Sequence, residues 1–414
     1  MAKMVSEDIA DDLMNEKVKI TISDTAADEY VQEVLSANNW AVQSNAYQER
    51  KAYTGTVAYV PYLDDVEVDG EGAVIAGTGR IRLNYFEAGN IYPLSWLNGI
   101  VEECAFVSVH TVHGKKYAHI QVHVREREER EYIIYNHVVE CTNGAGRELE
   151  PAEWKQLRPF RGMSEKAYTG SDKRQFVIDR LNIVNNVDPD NPMGVSVFAN
   201  GIDQLRGIDI AYDSYVNEFI LGKKRIFVAP EMLNRGMDGS PVFDPNDVTF
   251  YQLPEDSLKE GEALKEVNME IRAEAHSRAI DDFLNILSVK CGFGTEHYRF
   301  EKGSIQTATQ VISENSDLYK TIVKHEIILE AVLKELVAII LRLGNILGAS
   351  FNEDAEVVID FDDSIIEDKA TERKEDRNDV AMGAMRLDEY RAKWYGETLE
   401  EAAKNLPEVP EVEE

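Results

Sequence analysis

The chain has 414 residues, a formal net charge of −32 and a hydrophobic share of 43%. That apolar share excludes wholesale disorder, and the length points to two or three structural regions. The charge excludes a freely diffusing protein that grips DNA through a basic face, because such a face works by displacing counterions from phosphate. An acidic protein remains compatible with DNA that slides past without being held.

The first fifty residues read as α-rich. Ile9, Leu13 and Met14 share a helical face, Val18, Ile20 and Ile22 alternate as a short strand, and Ser23-Asp24 offers caps for a second helix carrying Ala27, Tyr30, Val31, Val34 and Leu35. From about Lys51 to Val139 the period changes to two. The strand candidates are Thr56–Val60, Ala73–Ala76, Arg80–Leu83, Phe106–His110, Tyr117–Val124 and Tyr132–Tyr135, an antiparallel meander with Gly114-Lys115 as a two-residue hairpin turn. Thr142 to Pro192 reads as turns and loops, punctuated at its end by Asn185-Asn186, Pro189, Asn191-Pro192 and Gly194.

Helical spacing returns at Ile202, Leu205, Ile208, Ala211, Tyr212, Tyr215, Val216 and Phe219 and predicts a helix over Ala199–Leu221, ended by Gly222. Arg225–Pro230 reads as a strand, followed by a Gly/Asp/Pro-rich stretch to Pro254. Two long helices come next, over Glu262–Lys290 and Thr307–Ile346, rods of roughly 43 and 60 Å at 1.5 Å per residue. Val357–Phe361 is a strand, Val380–Asn405 a final amphipathic helix, and the residues from Pro407 an acidic, disordered tail. The most apolar stretch, Glu326–Leu347, is interrupted by Glu330, Lys334, Glu335 and Arg342, which suits a buried helix rather than a membrane span. The first residues carry no charged-then-apolar signal pattern. Cys104, Cys141 and Cys291 are widely spaced and read as free thiols in a reducing compartment.

Few segments carry chemistry. Gly77-Thr78-Gly79 resembles part of a dinucleotide fingerprint, but a strand follows it where the fingerprint needs a helix N-terminus, so it reads as a turn. The easily read catalytic motifs (Walker A, G-x-S-x-G, H-E-x-x-H) do not occur. His110, His113, His119 and His123 raise a metal question. A turn at Gly114-Lys115 puts His110 opposite His119, yet no acid or thiol completes a ligand set, so an exposed polar sheet face is the preferred reading. No catalytic, cofactor or metal residue is assigned. Lys223-Lys224-Arg225 is the densest basic cluster beside a strand, fitted either to an acidic partner or phosphate, or to the C-terminal charge of the preceding helix. The loop Gly292–Gly303 places His297, Tyr298, Arg299 and Lys302 between two long helices, a longer connection than such pairs usually have.

Four segments together resemble phage portal proteins of Gram-positive hosts: Gly194–Asn200 with Ile208–Ser214, Lys223–Val228, Thr307–Ser316 and Val358–Ile365. Their order and spacing agree from about Met4 to Asn405. Members of that family usually carry more sequence before the first helix. The resemblance implies an α+β fold with an α/β wing, a two-helix stem, a small clip, a long spanning helix and a helical crown. On that analogy residues 1–192 form the wing, 193–221 the first stem helix, 222–261 the clip, 262–291 the second stem helix, 292–306 a tunnel loop, 307–350 the wing-spanning helix, 351–405 the strand and crown helix, and 406–414 the tail.

The resemblance also implies a non-enzymatic ring, typically of twelve copies, at a capsid vertex of the virion, assembled in the host cytoplasm. Its expected partners are itself, double-stranded DNA in the channel, terminase, head-completion or adaptor protein, and capsid and scaffold proteins, with no cofactor and no membrane. Lys223, Lys224 and Arg225 would dock partners at the clip, and His297, Tyr298, Arg299 and Lys302 would face DNA. The rival readings are an oligomeric cytosolic scaffold without a DNA channel and a metal-assisted enzyme with its site at His110 and His119.

Overall fold

Local signals start and stop the elements where tertiary pairing allows. The structure is a computed structural model that describes residues 1–15, 18–67, 74–126, 131–142, 145–222, 225–228, 250–252, 264–267, 269–295, 297–298, 308–361, 369–395 and 397–406. In chain order these form α1 (Ala2–Leu13), β1 (Lys19–Ile22), α2 (Thr25–Ala37), α3 (Trp40–Thr54), β2 (Thr56–Asp64), β3 (Arg80–Glu87), β4 (Ile91–Leu97), β5 (Ile100–Val112), β6 (Lys115–Arg125), β7 (Tyr132–Thr142), β8 (Ala145–Leu149), α4 (Pro151–Trp154), β9 (Lys166–Tyr168) and β10 (Val177–Arg180). There follow α5 (Ile202–Leu221), β11 (Arg225–Val228), β12 (Phe250–Gln252), β13 (Leu264–Val267), α6 (Ala273–Cys291), α7 (Ala308–Ile346), β14 (Val357–Asp360), α8 (Lys369–Met382), α9 (Leu387–Tyr395) and α10 (Leu399–Lys404). The described residues are thus mixed helix and sheet, 47% and 26%, as the α+β reading requires. Two compact units divide it: one holds residues 1–2 and 198–304, the other 3–197 and 305–414.

In the larger unit, β5, β6 and β7 form the centre of a six-stranded antiparallel sheet ordered β4-β5-β6-β7-β8, with β9 also on β7. A second sheet is ordered β10-β2-β3, and β1 pairs antiparallel with β14. The core lies between the two larger sheets, where Ala58, Val60 and Phe86 of one meet Ile91, Val101, Cys104 and Phe106 of the other around Phe176. A smaller core joins Tyr117, Val138 and Leu149 of the meander to Trp154 and Phe160. α7, 39 residues and about 58 Å long, packs on β2, β10 and α2. Its buried side chains crowd together from Val332 to Leu343, which explains why that stretch reads as a buried helix.

The junction of α3, β2, β10 and α7 holds a polar network. Lys51 and Asp179 are both fully sequestered, with Lys51 Nζ 2.9 and 3.1 Å from the two carboxylate oxygens. Gln48 Nε2 donates to Asp179 Oδ2 at 2.7 Å and to the Tyr59 hydroxyl at 3.0 Å. Beside it the Asn182 backbone N–H donates to His325 Nδ1 on α7 at 3.0 Å. Burial lowers the Lys51 pKa against the opposing pull of Asp179. It also lowers that of His325 to about 3, helped by the Lys51 charge. The same corner forces two backbones together: Gly55 has φ +85°, and a Cβ there would lie 2.5 Å from the Gly194 carbonyl oxygen, a position only glycine fills without strain.

Several expectations need correction. The β5–β6 turn is His113-Gly114, both with positive φ, not Gly114-Lys115, because a two-residue turn of this hand needs φ > 0 at both central positions. That slip of one places His110 opposite Tyr117 and His119 opposite Ser108. Of the Ala73–Ala76 candidate, residue 73 lies outside the described residues and the remainder forms a single bridge and a turn. Thr142–Pro192 is not all loop: β8 and β9 add to β7 and β10 adds to β2, segments too short to show a period. The helix predicted from Glu262 starts at Ala273, because Leu264–Val267 pairs antiparallel with β11 instead. The single C-terminal helix is broken into α8, α9 and α10. Gly383, at φ +75°, follows the last residue of α8, and Thr398 restarts the chain with a reciprocal cap to Glu401. The tail from residue 407 lies outside the described residues.

The buried pair makes a direct prediction. Asp179→Ala leaves the Lys51 ammonium without its carboxylate and should cost about 3–5 kcal/mol, whereas Lys51→Met combined with Asp179→Leu should recover most of that loss. Urea unfolding of the three proteins measures both.

Candidate functional site

In the smaller unit, α5 and α6 form a tight pair. Gly207 of α5 makes the close approach: a Cβ there would meet the Phe283 ring of α6 at 2.8 Å, and one at Gly201 would meet Leu287 at 2.9 Å. Leu284 and Leu287 are buried on α6 and Ile208 on α5. Towards the far end, Glu218 accepts from Arg272 Nε at 2.7 Å and lies against the His276 ring nitrogen. Tyr215 stacks on that ring at 5.2 Å. The Arg272 guanidinium, with His276 beside it, holds the Glu218 carboxyl below its ordinary range. The rest of α5 is unlike an ordinary surface helix. Ile202, Ile210, Tyr212, Phe219, Ile220 and Leu221 are each at least half exposed, so the helix carries apolar residues beyond the face that α6 covers.

The basic cluster falls partly out of view: Lys223 and Lys224 lie outside the described residues, and Arg225 opens β11 opposite Val267. β11 is the central strand of a three-stranded sheet, parallel to β12 and antiparallel to β13.

The loop after α6 begins with Gly292 in the left-handed region, whose backbone N–H closes the helix. Phe293 then turns inward and its N–H donates to the Ser288 carbonyl at 2.9 Å. His297 is exposed and stacks on Phe293 at 4.6 Å. Tyr298 differs from the expectation of a solvent-facing ring. It is 4% exposed and edge-on to Phe293 and His297, because its N–H returns to the Ser288 hydroxyl at the end of α6. Arg299 and Lys302 lie outside the described residues.

Three of the four histidines weighed for a metal, His110, His119 and His123, also differ from expectation, since they sit on covered faces rather than an exposed one. His119 Nε2 lies 2.9 Å from Asn136 Oδ1, an amide whose nitrogen donates to Ser164 O, so the histidine nitrogen is the donor. His110 Nε2 is 3.2 Å from Ser108 Oγ, and the Phe160 ring covers both imidazoles. His113 is exposed in the turn. His123 is walled by Phe106 and Phe176, with neither ring nitrogen hydrogen-bonded, and burial lowers its pKa to about 3. Among the described residues no group of three or more His, Cys, Asp or Glu is placed to hold a metal, and no helix is long and apolar enough to cross a membrane. All three thiols are free, and burial pushes Cys104 and Cys291 up to about 12.

With the paired helices, the small mixed sheet and the sheets of the larger unit in place, comparison with known proteins becomes informative. A family model described as phage portal protein, SPP1 Gp6-like, matches residues 1–383. The chain belongs to that family. It is therefore a tailed-phage portal protein. The match ends just past α8, so α9 and α10 lie beyond it. No curated protein matches the chain. Sequence reasoning reached the family through weak motifs read together, but missed the glycine step at Gly207 and the Glu218 bridge. The step had a signal, Gly201 and Gly207 six residues apart at the start of a helical pattern; the bridge had none, because its partners are more than fifty residues apart.

Two outcomes test these sites. Gly207→Val should destabilise the helix pair by about 1–3 kcal/mol, since overpacking against Phe283 outweighs the few tenths gained from helix propensity; thermal unfolding reads it. In the larger unit, His123 and His325 are neutral when folded and have pKa values near 3, below the unfolded value of about 6.5. Their stabilisation is present above pH 6.5 and lost as pH falls towards 3, at about 1.4 kcal/mol per pH unit for each histidine. His123→Leu should flatten the denaturation midpoint between pH 6.5 and 4.5.

Proposed function

We propose that this portal protein works as one subunit of a closed ring, twelve copies in the arrangement usual for its family, through which DNA is packaged and later ejected. The family match over residues 1–383 carries the reading. The exposed apolar residues of α5 support the ring, because a head-to-tail assembly needs an unpaired face on each subunit and closes when the rotation divides a full turn. In this reading α5 and α6 are the stem, 222–261 the clip, 292–306 the tunnel loop, 307–350 the spanning helix and 351–405 the strand and crown. Residues 1–192 are the wing.

The protein performs no chemistry itself, and ATP hydrolysis belongs to the terminase. A net charge of −32 repels phosphate and limits sticking of the duplex. A few loop residues guide it: His297, Arg299 and Lys302, with Tyr298 anchoring the loop base. Lys223, Lys224 and Arg225 offer terminase, and later the head-completion or adaptor protein, a basic docking point. Capsid and scaffold proteins hold the ring at one capsid vertex, after assembly in the host cytoplasm.

Light scattering and negative-stain imaging across a concentration series should give rings with a hole wide enough for duplex DNA. A ring without such a hole would overturn the channel reading in favour of a scaffold. Alanine at Lys223, Lys224 and Arg225 together should impair packaging while leaving the unfolding midpoint unchanged; normal packaging would remove the docking role.

A further inference from the structure

The hairpin of β4 and β5 carries a surface that none of these roles uses. β4 ends the six-stranded sheet, and β5 is its strand partner among the described residues. Tyr92, Leu94 and Trp96 are all exposed along it, register shifts between Pro93 and Trp96 break the regular alternation there, and Leu97 and Ile100, also exposed, flank the turn. That turn is Asn98-Gly99 with positive φ at both residues, the tight geometry that fixes a hairpin. Five large apolar side chains are thus held on a rigid rim rather than a loose loop. Such a concentration marks an interaction surface, in contrast to singly scattered apolar residues.

Beside the strand runs a groove of about 270 Å³. Pro93 and Trp96 form one wall, and Asp188, Asp190, Asn191 and Pro192 the other. The second wall is pre-shaped. Asn185 Oδ1 accepts from the N–H groups of Val187 and Asp188, and Asn191 Oδ1 accepts from that of Met193. Val187, 81% exposed, extends the apolar rim. The volume falls below the roughly 300–1,000 Å³ of small-molecule pockets, so the groove suits one long side chain of a larger partner. An indole face with two prolines and two carboxylates selects a lysine or arginine: its stem lies on the apolar wall and its charge meets the indole and the carboxylates.

We propose that the β4 edge and this groove dock an extended segment of another protein in which a lysine or arginine stands among aliphatic residues. The cation enters between Trp96 and Asp188 or Asp190, and the aliphatic side chains cover Tyr92 and Leu94. The groove's own carboxylates, Asp188 and Asp190, set the demand for a cationic side chain, and a second copy of this chain is the occupant that the test must separate from it. The inference goes beyond the channel reading and does not depend on it.

The test uses fluorescein-labelled pentapeptides and anisotropy on the full chain: Lys and Val alternating, Lys and Ser alternating, and Glu and Val alternating. The Lys/Val peptide should bind, and the other two should bind at least tenfold more weakly. Trp96→Ser, and Asp188→Asn with Asp190→Asn, should each weaken the Lys/Val peptide at least tenfold, with unchanged circular dichroism because all three side chains are exposed. Equal binding of the Lys/Ser peptide, or binding indifferent to the substitutions, would mean only general attraction to an acidic protein and would overturn the proposal. So would no binding at all. Self-association that Trp96→Ser abolishes would make a second copy the occupant and overturn it equally.

Discussion

The Lys51–Asp179 pair is the constraint on which the larger unit rests. A fully sequestered ammonium and carboxylate are stable only if each stays within reach of the other, so α3 and β10, far apart in sequence, are locked to one spacing. Gln48 and Tyr59 then share the same carboxylate, which fixes the roll of α3 over β2. His325 sets α7 against the same corner through Asn182. A purely apolar corner would tolerate sliding by a residue; this one does not, because a shift of one position turns the lysine out and strands the aspartate. Close contact of Gly55 with Gly194 lets the chain pass through the crowded corner without a side chain in the way.

Much of this fold is legible in the sequence where the period is long. The α2 helix begins at the expected Asp24 cap, whose carboxylate accepts from the Ala26 and Ala27 N–H groups. α5, α7 and the central meander strands lie where their apolar repeats place them. Short elements escaped notice, because three to five residues of β8, β9 or β10 contain too few positions to reveal alternation. The start of α6 was misread for a different reason. Leu264–Val267 has ordinary helical composition, and pairing with the β-rich Arg225–Val228 overrides that weak preference. The candidate sites were less legible still. His119 and His123 look like surface histidines in an alternating strand, yet only the neighbouring sheet and Phe160 reveal that their faces are covered. Tyr298 reads as a loop aromatic, and its burial depends on a hydroxyl ten residues earlier.

The α5–α6 pair shows how a single absence of a side chain can organise a surface. With no Cβ at Gly207, Phe283 lies flat against the α5 backbone, and the two helices approach closely on that side. The apolar residues of α5 that α6 does not reach are left for contacts beyond the pair. Glu218 closes the opposite end by meeting both Arg272 and His276. The pair is therefore steric at one end and electrostatic at the other, so salt should loosen the second without touching the first.

The larger unit is assembled from two stretches of chain, with residues 198–304 belonging to the other unit between them. During synthesis the sheets and the Lys51–Asp179 corner emerge first, and the helix that covers them is still unmade. About a hundred residues must be translated before α7 appears, which takes about 5–20 s at typical ribosomal rates. Throughout that interval the surface of β2 and β10 that α7 will cover is bare. The nascent chain thus has a built-in waiting period between making this corner and covering it.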